Sequence, residues 1–328
     1  MVLQEMHLQR STSLAQVYAD WEHTQQLLRD IQALLNHIPA HKVSILLENA
    51  VMRRLLHTDQ PTIKEVYHSI DAEALRVGYS EIGQPANPAE VQDVLNIISK
   101  PWPSAGDTPP PTVTIEGDEL RCGAFRTKLV EPAQKLLVVA LQKYIANSAL
   151  HYVARCAIRY ACIFAKTRHI GPPQCVYDDF YAWGVRNEGF ASPFNARLLG
   201  KENARFFSAF PDTDSPFGSQ GSLFNAKRSD YDGAWCLDPP FIPETMRRVV
   251  QRITEWRAEE GCPAILLIVP ASFVPALAPD ETVLLRANHH YYTGLDGEYR
   301  KLPVDVAIHR FGELPGFDAE TIQQGYLP

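Results

Sequence analysis

Two uninterrupted apolar runs with one amphipathic helix between them constrain the fold of this chain most strongly. The runs are residues 233–237 and 264–269, and continuous apolar strands are typical of a sheet that is covered on both faces. Between them, residues 243–260 have a helical apolar face that ends before Gly261 and consists of Met246, Val249, Val250, Ile253 and Trp256. With a closing antiparallel pair expected at 282–287 and 304–309, the pattern predicts an α/β sheet with an antiparallel edge.

The residues before this sheet predict a mainly helical accessory domain over residues 1–130. Residues 12–35 repeat apolar side chains at helical spacing, and residues 42–56 form a second such segment. Thr62 and Glu65 fit a capping box, and Asn87 before Pro88 fits the start of another helix. These signals are local, and each one places a helix start independently of the others.

A proline-rich segment near residues 100–111 cannot propagate a helix or a strand, so we expect a linker there. Residues 112–126 alternate around Gly117 and predict a small hairpin, and residues 132–166 predict a long helix with a possible interruption. The second domain is therefore expected to span residues 131–328.

The first apolar run ends in Asp238-Pro239-Pro240-Phe241. An acid or amide, two prolines and an aromatic residue at a strand tip are the signature of enzymes that methylate exocyclic amino groups of nucleobases. The Asp238 carboxylate and the Pro239 carbonyl can accept the two amino hydrogens of adenine, which stabilises the positive charge that grows on nitrogen. The prolines stiffen this loop, and Phe241 offers a flat face for an extruded base.

Two longer stretches precede this motif, residues 187–195 (NEGFASPFN) and residues 207–219 (FSAFPDTDSPFGS). Together with the Pro-Pro-Phe motif and residues 289–294 (HHYYTG), they resemble the methyltransferase module of the phosphorylated-CTD-interacting-factor family. That family comprises cap-specific adenosine N6-methyltransferases of eukaryotic messenger RNA. The resemblance spans roughly residues 175–311, and it implies a Rossmann-like class I methyltransferase sheet that uses S-adenosylmethionine.

The resemblance implies positions for both ligands. Asp238, Pro239, Pro240 and Phe241 would be the catalytic residues, and Glu188 or Asn195 would hold the amino-acid end of the cofactor. The cofactor pocket would be formed by the following residues: Glu188, Phe190, Ala191, Ser192, Pro193, Asn195, Asp212 and Asp214. Each has a structural alternative, because Glu188 can equally cap a helix or strand, and the two aspartates are common turn formers.

Candidate residues for the substrate lie in three places. Phe241 would stack on the base, and His289 and Tyr291 follow the strand beside it, although such residues often only pack a sheet edge. Arg155 and Arg159 fall on one helical face with Lys166 and can meet phosphates, while a solvated helix surface is the commoner explanation. The substrate would therefore be nucleic acid, with RNA favoured and DNA possible.

The chain departs from the family at two points. Asp238 stands where the family usually has asparagine, which leaves DNA adenine open as an alternative substrate. No pair of tryptophans occurs within a short three-stranded unit, so we expect no WW module and assign no polymerase-tail partner. An inactive homologue that binds RNA or a protein partner is a further alternative, whereas a dinucleotide-dependent oxidoreductase is disfavoured because no G-x-G-x-x-G follows a strand.

Composition limits the remaining classes of protein. The formal net charge of −7 is not that of a non-specific nucleic-acid coat protein, so any contact with nucleic acid needs a local basic groove. Six scattered cysteines without Cys-x-x-Cys spacing predict reduced thiols in an intracellular protein and no metal site. Charged residues interrupt the most apolar stretch, which predicts no membrane span. The sequence does not distinguish nucleus from cytoplasm.

Overall fold

The computed structural model of this chain describes residues 12–55, 62–129, 131–163, 170–294 and 297–328. The fold is mixed α/β and divides into two compact units. The first unit is Met1–Leu129 with Ala140–Lys166, and the second is Val130–Val139 with Thr167–Pro328. Residues 140–166 thus group with the helices that precede them, and the functional boundary expected at residues 130 and 131 stays a prediction.

The first unit is mainly helical, and its helix starts follow the capping signals of the sequence. Its helices are α1 (Leu14–Leu34), α2 (Ala40–Leu55), α3 (Ile63–His68), α4 (Ala72–Glu81) and α5 (Pro88–Ile98). The Thr62 hydroxyl accepts from the Glu65 amide while the Glu65 carboxylate accepts from the Thr62 amide, which confirms the capping box. Asn87 caps α5 with Pro88 at its first position, as predicted.

The hairpin expected after the proline-rich segment is confirmed and has a third strand. Strands β1 (Val113–Glu116), β2 (Glu119–Cys122) and β3 (Phe125–Lys128) form an antiparallel sheet. The long helix expected next is interrupted, since α6 (Glu131–Lys143) and α7 (Ala146–Ala161) are separate helices.

The second unit contains the strand and helix alternation. Its elements are α8 (Gln174–Ala182), β4 (Val185–Glu188), β5 (Arg205–Phe206), α9 (Pro211–Asp214), β6 (Ala234–Leu237), α10 (Pro243–Arg257), β7 (Ile265–Pro270), β8 (Glu281–Leu285), β9 (Tyr291–Thr293), β10 (Tyr299–Lys301), β11 (Val306–Phe311) and α11 (Ala319–Gly325). Short 3-10 turns follow α9 at Ser215–Phe217, Leu223–Asn225 and Arg228–Asp230.

A six-stranded sheet in the order β5-β4-β6-β7-β11-β8 organises this unit. Strands β5, β4, β6 and β7 pair in parallel, whereas β11 runs antiparallel to both β7 and β8. The closing antiparallel pair predicted from the sequence is therefore confirmed. Because parallel strands end at the same edge, the segments that follow β4, β5 and β6 share one edge of the sheet.

Side chains of the central strands alternate between two hydrophobic cores, one on each face of the sheet. Trp235 and Leu237 pack with the apolar face of α10. Cys236, Leu266 and Ile268 pack with α8 on the other face. All four residues of β6 are buried, which is why the run is continuously apolar.

β4 ends at Glu188, and the loop after it stays bonded to the segment that follows β5: the Phe207 amide donates to the Glu188 carbonyl, and the Ala191 amide donates to the Phe207 carbonyl. The short strands β5, β9 and β10 and the final helix α11 were not predicted. β9 and β10 pair with each other outside the main sheet, and Thr293 of β9 also forms an isolated antiparallel bridge with Gly171.

The backbone at Gly189 lies too close to the Leu237 side chain for any larger residue to fit without displacement. Its amide donates to the Cys236 carbonyl at 2.8 Å, and a methyl group on Gly189 would collide with the Leu237 side chain. We expect Gly189→Ala to lower the free energy of unfolding by about 1–3 kcal/mol, because overpacking displaces buried neighbours. Chemical denaturation measures this change. Gly171→Ala is the matched control, since its methyl group would meet only the Arg197 guanidinium at 4.0 Å; equal losses in both variants would contradict the prediction.

Candidate active site

The Asp-Pro-Pro-Phe motif lies at the carboxyl end of β6, beside the carboxyl end of β4. The register pairs Glu188 of β4 with Cys236 of β6, two residues before Asp238. Parallel pairing therefore places the segments that follow β4 and β6 side by side. Phe241 is partly buried against the core on the α8 face.

Two hydrogen-bond acceptors of the motif are not used by the protein. Neither the Asp238 carboxylate nor the Pro239 carbonyl accepts a hydrogen bond from any residue that the structure describes. The next carbonyl, that of Pro240, instead accepts from the Ile242 amide at 2.6 Å. Of these three acceptors, only the Pro240 carbonyl is thus bonded within the described residues.

Burial raises the pKa of both the Asp238 and the Glu188 carboxyl group. The pKa of Asp238 is raised to about 8, first by burial and then by Glu188, although Arg197 lowers it. The pKa of Glu188 is raised to about 7 by burial, against the lowering effect of the Leu198 and Arg197 amides. Near neutral pH, Asp238 is therefore mostly protonated and Glu188 partly protonated.

Glu188 and Asn195 both hold the loop that follows β4. The two carboxylate oxygens of Glu188, which is 3% exposed, accept from the amides of Arg197 and Leu198 at 3.1 and 3.0 Å. Asn195 Oδ1 accepts from the amide and the hydroxyl of Ser192 at 2.6 and 2.9 Å. Of the two roles that the sequence left open for Glu188, the contacts within the protein are those of a capping residue.

The remaining residues of this loop, 190–193, pack at the edge of the sheet. Phe190 packs edge-on against Phe224, with ring centroids 5.8 Å apart. The Ala191 amide donates to the Phe207 carbonyl at 2.9 Å, and Ser192 and Pro193 are buried. These residues shape the backbone at the sheet edge, and their assignment to a cofactor stays a prediction.

Asp212 and Asp214 lie in α9, just beyond the carboxyl end of β5. Asp214 is buried, and its Oδ1 accepts from the Thr213 hydroxyl at 2.9 Å. Asp212 is half-buried and therefore the more accessible of the two carboxylates. β5 pairs in parallel with β4, so Asp212 lies at the same edge of the sheet as Glu188 and Asp238.

Three buried tyrosines and one arginine lie beside Asp238, and of these only Tyr292 belongs to a stretch that the sequence singled out, residues 289–294. Burial, followed by the Asp238 carboxylate, raises the pKa of both Tyr292 and Tyr326. Burial also raises the pKa of Tyr177, whose hydroxyl accepts from Cys236 Sγ at 3.5 Å. Arg197 donates to the Thr293 hydroxyl at 2.5 Å. Arg197 lies two positions after residues 187–195, so that motif could have drawn attention to it. Nothing in the sequence indicates Tyr177 or Tyr326.

The two substrate residues predicted in β9 and just before it have different surroundings. His289 is exposed, whereas its neighbour His290 is buried and its Nδ1 lies 2.8 Å from the Arg286 carbonyl. Tyr291 is half-buried, and its ring meets that of Tyr299 edge-on at 6.3 Å. His289 and Tyr291 thus remain accessible, while Tyr292 faces the core.

Arg155 and Arg159 are not on an exposed helix surface, so that expectation is wrong. They are 7% and 1% exposed on α7, in the helical unit. The Arg159 guanidinium lies 3.3 Å from the Asp20 carboxylate, and that of Arg155 lies 5.4 Å from the Tyr152 ring centroid. Their charges are used inside that unit, and Lys166 lies outside the described residues.

A cavity of about 320 Å³ opens between the loop after β4 and the β9–β10 hairpin. Residues from four segments of the second unit line it, among them Lys135, Gln174, Phe194, Arg197, Thr293 and Tyr299. The charged side chains among them, those of the exposed Lys135 and of Arg197, are both cationic.

The described residues contain no group of three histidine, cysteine or acidic side chains arranged to hold a metal ion. Within the same residues, no helix has the length and apolar content needed to cross a membrane.

Comparison with known proteins finds similarity over this same region. The family described as the phosphorylated CTD interacting factor 1 WW domain matches residues 151–293. A mouse (Mus musculus) protein named mRNA (2'-O-methyladenosine-N(6)-)-methyltransferase is 29% identical to this chain over 158 residues. The match covers 41% of this chain but 21% of the mouse protein, so this chain spans about a fifth of that relative's length.

Both findings support the resemblance to phosphorylated-CTD-interacting-factor proteins, and the family match covers the strands that form the site. The matching family bears the name of a WW domain, so the expectation that this chain has no WW module is not supported. As far as the structure describes them, residues 151–293 include the parallel strands β4, β5, β6 and β7 rather than a separate three-stranded antiparallel unit.

The raised pKa of Asp238 has a consequence for stability. A carboxyl group that binds its proton more tightly in the folded state loses stabilisation as pH rises from its unfolded pKa, near 4, to its folded pKa of about 8. We expect the melting temperature of the native protein to fall between about pH 5 and about pH 8, and Asp238→Asn to reduce that fall.

Melting curves at both pH values, followed by circular dichroism, measure this effect. Glu202→Gln is the control for net charge, because Glu202 is an exposed residue of the same unit. Parallel pH profiles for the native protein and Asp238→Asn would show that this carboxyl group is not held protonated by the fold.

Proposed function

We propose that this chain is an S-adenosylmethionine-dependent N6-adenine methyltransferase that acts on nucleic acid, with cap-proximal adenosine of RNA as the leading substrate. The main support is the pair of unused acceptors, the Asp238 carboxylate and the Pro239 carbonyl, at the carboxyl end of β6. An exocyclic amino group has two hydrogens to donate, and this loop offers two acceptors. The similarity to the mouse methyltransferase supports the substrate class.

The residues at this edge suit a cationic cofactor. Glu188 and Asp238 are desolvated carboxyl groups whose raised pKa values show that nearby positive charge does not compensate them. A sulfonium compound supplies such charge, and the half-buried Asp212 suits a ribose diol at the end of β5. We propose that the cofactor lies along the loop formed by Phe190, Ala191, Ser192, Pro193 and Asn195.

The sheet order supports a Rossmann-like class I methyltransferase. Four parallel strands are followed by β11, which is inserted antiparallel between β7 and the edge strand β8. The proposed ligand positions lie outside the carboxyl ends of the parallel strands, where ligands of open α/β sheets bind. In this proposal residues 131–328 form the methyltransferase domain and residues 1–130 an accessory domain.

The chemistry of the site follows from its acceptors. S-adenosylmethionine, when bound, supplies a methyl group on a positively charged sulfur. Asp238 and the Pro239 carbonyl orient the adenine amino group and stabilise the positive charge that develops on its nitrogen. Phe241 holds the plane of the base, and the proton released after transfer leaves to Asp238 or to solvent.

Two alternatives remain distinct from this proposal. DNA adenine would use the same acceptors, and the Asp238 carboxylate fits either nucleic acid. An inactive homologue would bind RNA or a protein without transferring methyl groups, but the unused acceptors at Asp238 and Pro239 favour catalysis.

The acceptor role predicts different results for two substitutions of Asp238. We expect Asp238→Ala to lower kcat by about 10²–10³-fold with cofactor affinity within a few-fold, because the acceptor acts mainly on developing charge. Asp238→Asn keeps a neutral acceptor, so it should retain more activity. The native rate should rise with pH as the carboxyl group ionises, and the rate of Asp238→Asn should vary less.

Single-turnover methyl transfer across pH measures these rates, and calorimetry with S-adenosylhomocysteine measures cofactor affinity. An Asp238→Ala variant as active as the native protein would refute the mechanism.

The substrate is tested with radiolabelled S-adenosylmethionine and three substrates in parallel. They are capped RNA that begins with adenosine, the same RNA without the cap, and adenine-containing DNA. We expect label on the capped RNA alone. Label on DNA, or on RNA regardless of the cap, would replace the proposed substrate, and cofactor binding without label on any of them would favour the inactive homologue.

A further inference from the structure

The cavity beside the candidate active site has cationic side chains, whereas the edge of the sheet has the carboxyl groups of Glu188 and Asp238. The described residues that line it are neutral or cationic, with Lys135 and Arg197 as its charged groups. Lys135 is exposed and forms no ion pair with any described residue, and Arg197 Nε is buried without a hydrogen-bond partner among them. Two cations with spare donors suit a phosphate group.

The same charges argue against the cofactor as the ligand of this cavity. S-adenosylmethionine carries a sulfonium and an ammonium group against a single carboxylate, so its net charge is positive. The desolvated carboxyl groups Glu188 and Asp238 attract that charge, whereas Lys135 and Arg197 would repel it.

The β9–β10 hairpin adds accessible aromatic and basic side chains to one wall of the cavity. Tyr299 is 46% exposed and lines the cavity directly. Lys301 lies over the ring of Tyr291 at 5.6 Å, and all three residues of β10 are exposed. Aromatic faces interleaved with cations are the usual means of binding a single strand, because each base has a face on which to stack.

Arg197 connects the cavity to the acceptors of the motif. It lines the cavity, donates to Thr293 at the end of β9, and lowers the pKa of Asp238. A phosphate that reached Arg197 would therefore belong to a nucleotide close to the one held at Asp238.

We propose that this cavity binds the backbone of a single RNA strand next to the target nucleotide. Lys135 and Arg197 hold one phosphate, and Tyr299 stacks on a neighbouring base. This inference deepens the proposed function and rests on it, since the strand that enters the cavity also presents its adenine to Asp238.

The test measures RNA binding without the cofactor. The probe is a fluorescein-labelled, ten-nucleotide RNA of uridines with one central adenosine, and anisotropy gives Kd at several salt concentrations. Lys135→Gln should raise Kd roughly three- to ten-fold and reduce the slope of log K against log salt by about 0.7, as expected for the loss of one phosphate contact. Lys227→Gln is the matched control, because Lys227 is an exposed lysine of the same unit outside the cavity.

Tyr299 is tested by a second pair of variants. Tyr299→Ala should raise Kd roughly ten-fold, while Tyr299→Phe, which keeps the ring, should bind as the native protein does. Loss of binding in both variants would contradict stacking, because the hydroxyl and not the ring would then be required.

Three outcomes would overturn the proposal. The native protein could fail to bind the probe, or every variant could bind it with a Kd within two-fold of the native value. The variants could also weaken S-adenosylhomocysteine binding in calorimetry while leaving RNA binding unchanged. The last outcome would make the cavity a cofactor subsite. Because the assay requires no methyl transfer, a protein that binds as expected but does not methylate RNA refutes the proposed catalysis alone.

Discussion

The parallel pairing of β4 with β6 is the constraint on which the rest of the candidate site depends. It brings Glu188 and Asp238 to one edge of the sheet, where burial raises the pKa of both carboxyl groups and Glu188 raises that of Asp238 further. Arg197 opposes this effect without cancelling it. The fold thus builds an electrostatic preference for a cation into the end of two buried strands, at a cost in stability that a positively charged ligand would offset.

Acidic and cationic side chains occupy two neighbouring regions of the second unit. The carboxyl groups lie at the strand ends, and the cations Lys135 and Arg197 lie in the adjoining cavity. Arg197 takes part in both environments because its backbone amide is held by Glu188 while its guanidinium reaches Thr293. A protein with a net charge of −7 can in this way offer an anion a local basic surface without an overall basic field.

An aspartate at position 238 makes this site sensitive to pH in a manner that an amide would not. The buried tyrosines Tyr177, Tyr292 and Tyr326 contribute apolar rings around it and no opposing positive charge. Their hydroxyl groups are donors of the kind that a carboxyl group or a bound ligand can accept. The pKa of Asp238 is raised by burial and by Glu188 and lowered by Arg197, and neither of these two residues belongs to the Pro-Pro loop.

Local signals in the sequence determined the helix caps at Thr62 and Asn87, the apolar strands β6 and β7, and the position of the Asp238 motif at a strand end. They did so because capping, periodicity and proline rigidity act within a few residues. Tertiary structure alone decided that Arg155 and Arg159 are buried, that Arg197 lies beside both carboxyl groups, and that Tyr177 and Tyr326, 149 positions apart, flank Asp238. Burial and electrostatic coupling depend on distances in space, which the packing of strands and helices sets and which spacing along the chain does not encode.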